Sequence, residues 1–480
     1  MAPNFPFFLA GRPVTAGAVR EVHSPFDGHL VGTYAAPSDA DIEAAVAAAV
    51  AAVPRARGLT AAARAQALDH ISSAIAARAD EYAQLITAEN GKPLMWAKAE
   101  VSRAVSTFRW AAEEARRFSG ELQRLDTDPA AEGRMALVRR FAIGPVLGIS
   151  PFNFPLNLVA HKVAPAIACG APIIIKPAPK TPLSALLLGE ILAETDLPDG
   201  SWSVLPVDDD KAPGLVADDR LPVISFTGSE GVGFAIQKAV PHKRVVLELG
   251  GNAAAVVMPD YASDPDLEWA TSRIATFGNY QAGQSCISVQ RVFVHRSLAD
   301  RFVPLLTAKV ANLATGDPND PLTLVGPMIN EAAAERVQSW VEEAVAAGAE
   351  VLTGGQREGT QMSPTLLIDV PPTAKCFAEE VFGPVMSIMV FDSEEEVFAA
   401  VNDSRFGLQA GVFTHDIGVA FRAQSTLDVG GVIVGDVPSY RADQMPYGGV
   451  KHSGVGREGL RHAMDDYTDV RVMVLTGLDL

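Results

Sequence analysis

The spacing of apolar and polar positions changes character along the chain. From Asp39 to about Ala115 apolar and charged residues recur at helical intervals, as in Asp41-Ile42-Glu43-Ala44-Ala45-Val46 and Arg64-Ala65-Gln66-Ala67-Leu68-Asp69. This predicts three amphipathic, Ala-rich helices of plain scaffold character. After Pro145 short β-rich runs alternate with helical stretches. The runs are Val146-Leu147-Gly148-Ile149, Pro172-Ile173-Ile174-Ile175, Trp202-Ser203-Val204-Leu205 and Pro222-Val223-Ile224-Ser225-Phe226; the helical stretches are Leu158 to Cys169 and Ser184 to Thr195. Such alternation predicts βαβ units and a parallel sheet covered on both faces.

A second alternating region starts after Gly251 and runs to about Val434, with strand candidates at Val289 to Val294, Val351-Leu352, Thr365 to Ile368 and Val385 to Phe391. It predicts a separate α/β domain. Leu122 to Phe141 and the β-rich tail Tyr467 to Leu475 fit neither domain. Projecting strands suit sheet extension between copies, with a surface hairpin and a terminal strand as the equal alternative. No internal repeat is visible.

Composition narrows the class. A chain of 480 residues with 48% hydrophobic content can bury the cores of two or three domains. Its net charge of −18 argues against a nucleic-acid partner, which needs a basic stripe. The apolar patch Phe5 to Ala10 has no preceding basic residue inside Met1 to Arg12 after the fashion of a secretory signal. Val163 to Ile175 is broken by Pro165, Gly170 and Pro172 and falls short of the roughly 20 residues that span a bilayer. Cys169, Cys286 and Cys376 are odd in number and scattered without CxxC spacing, so neither a disulfide framework nor a metal site is expected, and a reduced, cytoplasmic setting is.

Two turns carry the candidate chemistry. Gly283-Gln284-Ser285-Cys286 presents a thiol, and Leu247-Glu248-Leu249-Gly250-Gly251 presents a carboxylate. A nucleophile with a separate base suits acyl chemistry through a thioester, and by itself leaves a cysteine thioesterase or hydrolase open. Phe226-Thr227-Gly228-Ser229 closes a strand and opens the helix Glu230 to Ala239, whose free N–H groups suit a pyrophosphate. The glycines there do not form GxGxxG.

Seven blocks, in this order, resemble the aldehyde dehydrogenase superfamily: Ser150-Pro151-Phe152-Asn153-Phe154-Pro155, Ile175-Lys176-Pro177, Phe226-Thr227-Gly228-Ser229, Glu248-Leu249-Gly250-Gly251-Asn252, Gly283-Gln284-Ser285-Cys286, Glu380-Val381-Phe382-Gly383-Pro384, and Pro446-Tyr447-Gly448-Gly449-Val450-Lys451-His452-Ser453-Gly454. The resemblance implies NAD(P)-dependent oxidation of an aldehyde to a carboxylic acid. It implies an α/β fold with a Rossmann-like cofactor domain (1–121 and 142–250), a catalytic domain (251–440) and a small β oligomerisation element (122–141 and 463–480), assembled as a homodimer or homotetramer.

By the same resemblance Cys286 forms a thiohemiacetal and then a thioester, and Asn153 with the Cys286 N–H holds the oxyanion. Glu248 activates the hydrolytic water, which counts against a coenzyme-A-acylating relative. Lys162 matches a proton-relay lysine, with a solvated lysine as the equal reading. Cys169 and Cys376 are read as inert. The cofactor set is Ser150, Pro151, Phe152, Lys176, Pro179, Gly228, Ser229, Leu249, Gly250, Glu380 and Phe382, with Lys176 at the adenosine ribose. Pro179 stands where many NAD-preferring members carry Glu; with Lys176 and Lys180 nearby this implies that NADP is accepted at least comparably to NAD. Leu205 to Asp210 departs from the Gly-containing loop common after that strand. The substrate entrance is assigned to Arg103, Asn157, His161, Ser285 and Arg441, of which Arg103, His161 and Arg441 together suit an anionic tail. Fewer aromatics are expected there than a long apolar or benzylic aldehyde needs.

Overall fold

The computed structural model describes residues 2–479, so Met1 and Leu480, the ends of the first and last expected segments, lie outside the described residues. Four helices, not three, occupy the Ala-rich region: α1 (Asp39–Gly58), α2 (Ala61–Ala77), α3 (Ala79–Asn90) and α4 (Leu94–Arg117). Only Arg78 separates α2 from α3, with neither Gly nor Pro to mark the break. Ser38 starts α1 through a reciprocal capping box with Asp41, and Gly91, at φ 75°, lets the chain leave α3 in a left-handed conformation before Pro93 opens α4. Ala97, Val101, Ala104, Phe108, Ala111 and Ala115 form the buried stripe of α4. It packs on α2 and on α5 (Asn157–Cys169), which is buried along its whole length.

Helices cover an eight-stranded sheet whose order is Gly454–Val455, Arg244–Glu248, Val223–Thr227, Val146–Ile149, Ile173–Lys176, Trp202–Val204, Phe7–Leu9 and Arg12–Val14. The five strands from Arg244–Glu248 to Trp202–Val204 are parallel, and their continuous Val/Ile runs are buried on both faces. A seven-stranded sheet from Ala253–Val257 onward forms the second α/β unit, with Val289–His295 near its centre. The third sheet is antiparallel: Thr468–Thr476 pairs along its full length with Arg134–Ala142, which pairs with Glu121–Arg124. It therefore starts at Glu121 and reaches Ala142, one residue beyond each expected boundary. The stretch 463–466 belongs to the helix Leu460–Asp466, packed on α4 and α5, rather than to the projecting strand. Among the described residues no helix is long and apolar enough to cross a membrane.

Candidate active site

The parallel strands end in line, since Ile149 is registered with Lys176 and Thr227 with Glu248. The loop Ser150 to Asn153, the Lys176 side chain, Gly228-Ser229 and Glu248 to Gly250 therefore open on one edge of the sheet, at its carboxyl ends, where α/β folds place ligands. Cys286 reaches this edge from the other unit, on a turn with unusual backbone. Gln281, Ala282 and Gly283 have φ of 53°, 54° and 67° in succession. Left-handed backbone costs an L-residue on the order of 1–2 kcal/mol, and here side-chain bonds hold it. Gln284 Nε2 donates to the Gln281 carbonyl at 3.1 Å and its Oε1 accepts from the Ile329 N–H at 2.9 Å. Gln281 Nε2 donates to the Asn153 carbonyl, and Asn153 Nδ2 donates to the Gln284 carbonyl at 3.0 Å. The oxyanion candidate and the nucleophile candidate are thus locked to each other, with Asn153 Oδ1 left unpaired.

Cys286 lines two clefts at once. One, of about 270 Å³, is walled by Trp96, Phe154, Phe277, Tyr280, Tyr440 and Tyr447, with Arg103, Asn157, Ser285 and Arg441 among its polar groups. The expectation of few aromatics fails here, because residues distant in sequence supply the wall. The other, of about 350 Å³, holds Asn153, Gly228, Ser229, Glu248, Leu249, Gly250, Glu380 and Phe382. Beyond it lies a slot of about 750 Å³ containing Ser150, Pro151, Phe152, Lys176, Pro179, Lys180 and Asp209.

The residues of these last two clefts fit a dinucleotide. Helix Glu230–Ala239 begins at Ser229 without a side-chain cap, so its first N–H groups are free for a pyrophosphate. Gly250 has the Glu380 carboxylate where a Cβ would stand, and a Cβ at Gly228 would meet the Phe226 ring at 2.6 Å. Gly251 N–H donates to Glu380 Oε1 at 2.9 Å, while burial pushes that carboxyl up to about 7.

Ionisable groups pack tightly behind the thiol. Glu458 accepts from Lys162 Nζ at 3.3 Å and from Arg441 Nη2 at 3.0 Å. Burial opposes its ionisation, but those two cations outweigh burial and hold it at about 2. Glu248 is 3% exposed and both its carboxylate oxygens lack a partner among the described residues. Burial first, and the Glu458 charge second, raise it well above the ordinary carboxylate range against Arg441, Lys162 and Arg457. Burial likewise pushes the Cys286 thiol up to about 11, opposed mainly by a hydrogen bond with Tyr447.

Three expectations change. Lys162 is fully buried, bonded to Thr227 Oγ1 at 2.7 Å and to Ser225 Oγ at 3.3 Å, which removes the solvated reading. His161 does not line the entrance; it is buried and bonded to Asp443 Oδ1 at 3.1 Å, with burial depressing its pKa. The three basic residues are not free cations, because Arg103 also engages Asp443, at 2.9 Å, and Arg441 engages Glu458. What faces no partner is Nε of Arg103 and Nε of Arg441. Lys176, assigned to the ribose, is paired with Asp209 at 2.6 Å. Sequence reasoning missed Tyr447, Glu458, Asp443 and Asp209; the first stood inside a quoted block and the last in the loop noted as unusual.

A model of the aldehyde dehydrogenase family matches residues 14–473. A 3-sulfolactaldehyde dehydrogenase of Priestia aryabhattai is 43% identical over 83% of both chains. A sulfoacetaldehyde dehydrogenase of Neptuniibacter caesariensis is 36% identical over 94% of this chain and 98% of its own. Among solved structures, aldehyde dehydrogenase 21 from Physcomitrella patens, in complex with the reaction product succinate, superposes with a TM-score of 0.98 and 42% identity, covering 100% of this chain and 99% of that one.

Proposed function

This chain belongs to the aldehyde dehydrogenase family and oxidises an aldehyde to its carboxylic acid with NAD or NADP; we propose that it works through a Cys286 adduct on short aldehydes that end in an anion. The observation carrying the covalent route is that one sulfur belongs to both clefts, facing the aromatic entrance on one side and Glu248, Asn153 and Glu380 on the other. Family membership sets aside the hydrolase and thioesterase alternatives, and Glu248, a base suited to a hydrolytic water, counts against the coenzyme-A one.

In this reading Sγ adds to the aldehyde carbon, forming a C–S bond as the carbonyl π pair moves to oxygen. The second amide proton of Asn153 and the Cys286 N–H hold that oxyanion. Glu380, Phe382, Gly228 and Ser229 would hold NAD(P), which would supply the hydride acceptor. Collapse of the oxyanion restores the C=O bond and leaves a thioester on Cys286. Glu248, ionised, takes a proton from water, whose oxygen attacks the acyl carbon, and the C–S bond breaks to release the acid. Lys162 fixes Glu458, and so sets the field around Glu248.

The short anionic substrate rests on the size of the entrance and on Arg103 and Arg441, which line it among the aromatic rings. Relatives named for sulfolactaldehyde and sulfoacetaldehyde, and a neighbour holding succinate, support it. We also read the exposed apolar residues Leu122, Val472 and Met473 of the third sheet as the contact of a homo-oligomer, and the three free thiols as fitting the cytoplasm. The test of the covalent route is Cys286→Ala, which abolishes oxidation and leaves nucleotide affinity unchanged. Residual activity above a few per cent refutes it.

A further inference from the structure

Cys286 has no histidine or lysine against its sulfur to favour the thiolate. Glu248 and Glu380, which face it from two other loops, oppose that form, and only Arg441 assists through space. Among the described residues Sγ has one hydrogen-bond partner, Tyr447 Oη, 3.1 Å away; either group can donate to a neutral thiol, and only the phenol can donate to a thiolate. This phenol is 4% exposed, sits in a small apolar cluster with Ile287 and Leu408, and has no other hydrogen-bond partner among the described residues. Its backbone is pinned on both sides, the N–H donating to the Glu458 carbonyl at 3.0 Å and the carbonyl accepting from the Glu458 N–H at 2.7 Å.

The Arg441 guanidinium lies 3.7 Å from the centroid of the Tyr447 ring, and Glu458 holds it there. A cation on the ring face draws electron density from the phenol and makes its O–H a stronger donor. Burial keeps the phenol protonated throughout the working range. The arrangement therefore supplies a neutral, fixed, polarised O–H aimed at sulfur, which is what a buried thiolate needs in place of water.

We propose that Tyr447 is a catalytic residue, the hydrogen-bond donor that holds Cys286 as a thiolate before attack and again when the C–S bond of the thioester breaks. The proposal rests on Cys286 being the nucleophile. The thiol proton goes to solvent, and the phenol neither gains nor loses a proton. As Sγ spends its lone pair on the aldehyde carbon the hydrogen bond weakens. It re-forms as the acyl group leaves, so one O–H serves both halves of the reaction.

The test is Tyr447→Phe, which keeps the ring, its packing and its contact with Arg441 while Glu248 and Glu380 stay in place. The rate of iodoacetamide alkylation, mapped to Cys286 by peptide analysis, is followed against pH in nucleotide-free enzyme. The expected midpoint rises by about one pH unit and the neutral-pH rate falls about tenfold, the effect of losing one hydrogen bond to a charged group. A fluorinated tyrosine at the same position, a stronger donor, moves the midpoint down. NAD(P) affinity, read by fluorescence, is unchanged in both. An unaltered alkylation profile in Tyr447→Phe, with Cys286→Ala inactive, overturns the role of the phenol alone; an active Cys286→Ala removes the nucleophile beneath it.

Discussion

Glu458 keeps its charge against Lys162 and Arg441, and that charge adds to burial in driving its neighbour Glu248 toward the neutral acid. A carboxyl raised above its usual range is a stronger base than a solvated one once it ionises. Glu248→Gln removes the base without changing shape. Rapid mixing with aldehyde and NAD(P) is then expected to give about one equivalent of reduced nicotinamide per site, followed by a stall with the acyl group on Cys286. Loss of the burst itself transfers Glu248 to the acylation step.

The same substitution has a stability signature of fixed sign. Because folding raises the pKa of Glu248, its contribution is fully present below the ordinary carboxylate value and is lost as pH climbs through the raised one. Glu248→Gln has no such loss. Its Tm advantage over the parent is expected to be small at pH 5 and to grow toward pH 8 in calorimetry; a constant or shrinking difference contradicts the buried, unpartnered carboxyl.

At the entrance, Arg103 is the safer arginine to change, since it is partly exposed whereas Arg441 is buried against Glu458. Arg103→Gln leaves Asp443 with His161. The KM for aldehydes ending in carboxylate or sulfonate is expected to rise at least about tenfold, a change of about 1.4 kcal/mol, with neutral aldehydes of equal length little affected. Equal changes for both sets dismiss the anionic substrate.

Cofactor choice is expected to depend on the Lys176–Asp209 pair. With its ammonium already paired at 2.6 Å, Lys176 is less available to a 2′-phosphate than the Pro179 substitution alone suggests. Asp209→Ala frees it, so the Kd for NADP measured by fluorescence is expected to fall about tenfold while NAD changes less; Pro179→Glu moves NADP the other way by a similar factor. Indifference of NADP to Asp209 places the discrimination elsewhere in the slot.

What the sequence made legible is tied to local chemistry. Asn153, Glu248 and Cys286 stand in turns whose Gly and Pro punctuation announces strand ends, and a strand run such as Ile173 to Ile175 is readable because both its faces are buried. Partners were illegible where pairing spans the chain. Arg103 meets Asp443 across 340 positions, and Lys162 meets Glu458 across 296. A lysine on a helix face looks solvated until Ser225 and Thr227 of a strand and the distant Glu458 meet it, and no local pattern carries that information. The entrance was misjudged for the same reason, since Trp96, Phe154, Phe277 and Tyr447 converge only after folding.

The strand Gly454–Val455 lies antiparallel to Arg244–Glu248, the helix Leu460–Asp466 packs on α4 and α5, and Thr468–Thr476 zips onto Arg134–Ala142. Tyr447 and Glu458 thus stand on the last stretch of the cleft to be synthesised, and it is held by partners made hundreds of codons earlier. A chain that already contains Asn153, Glu248 and Cys286 still lacks the phenol and the carboxyl that complete the cleft.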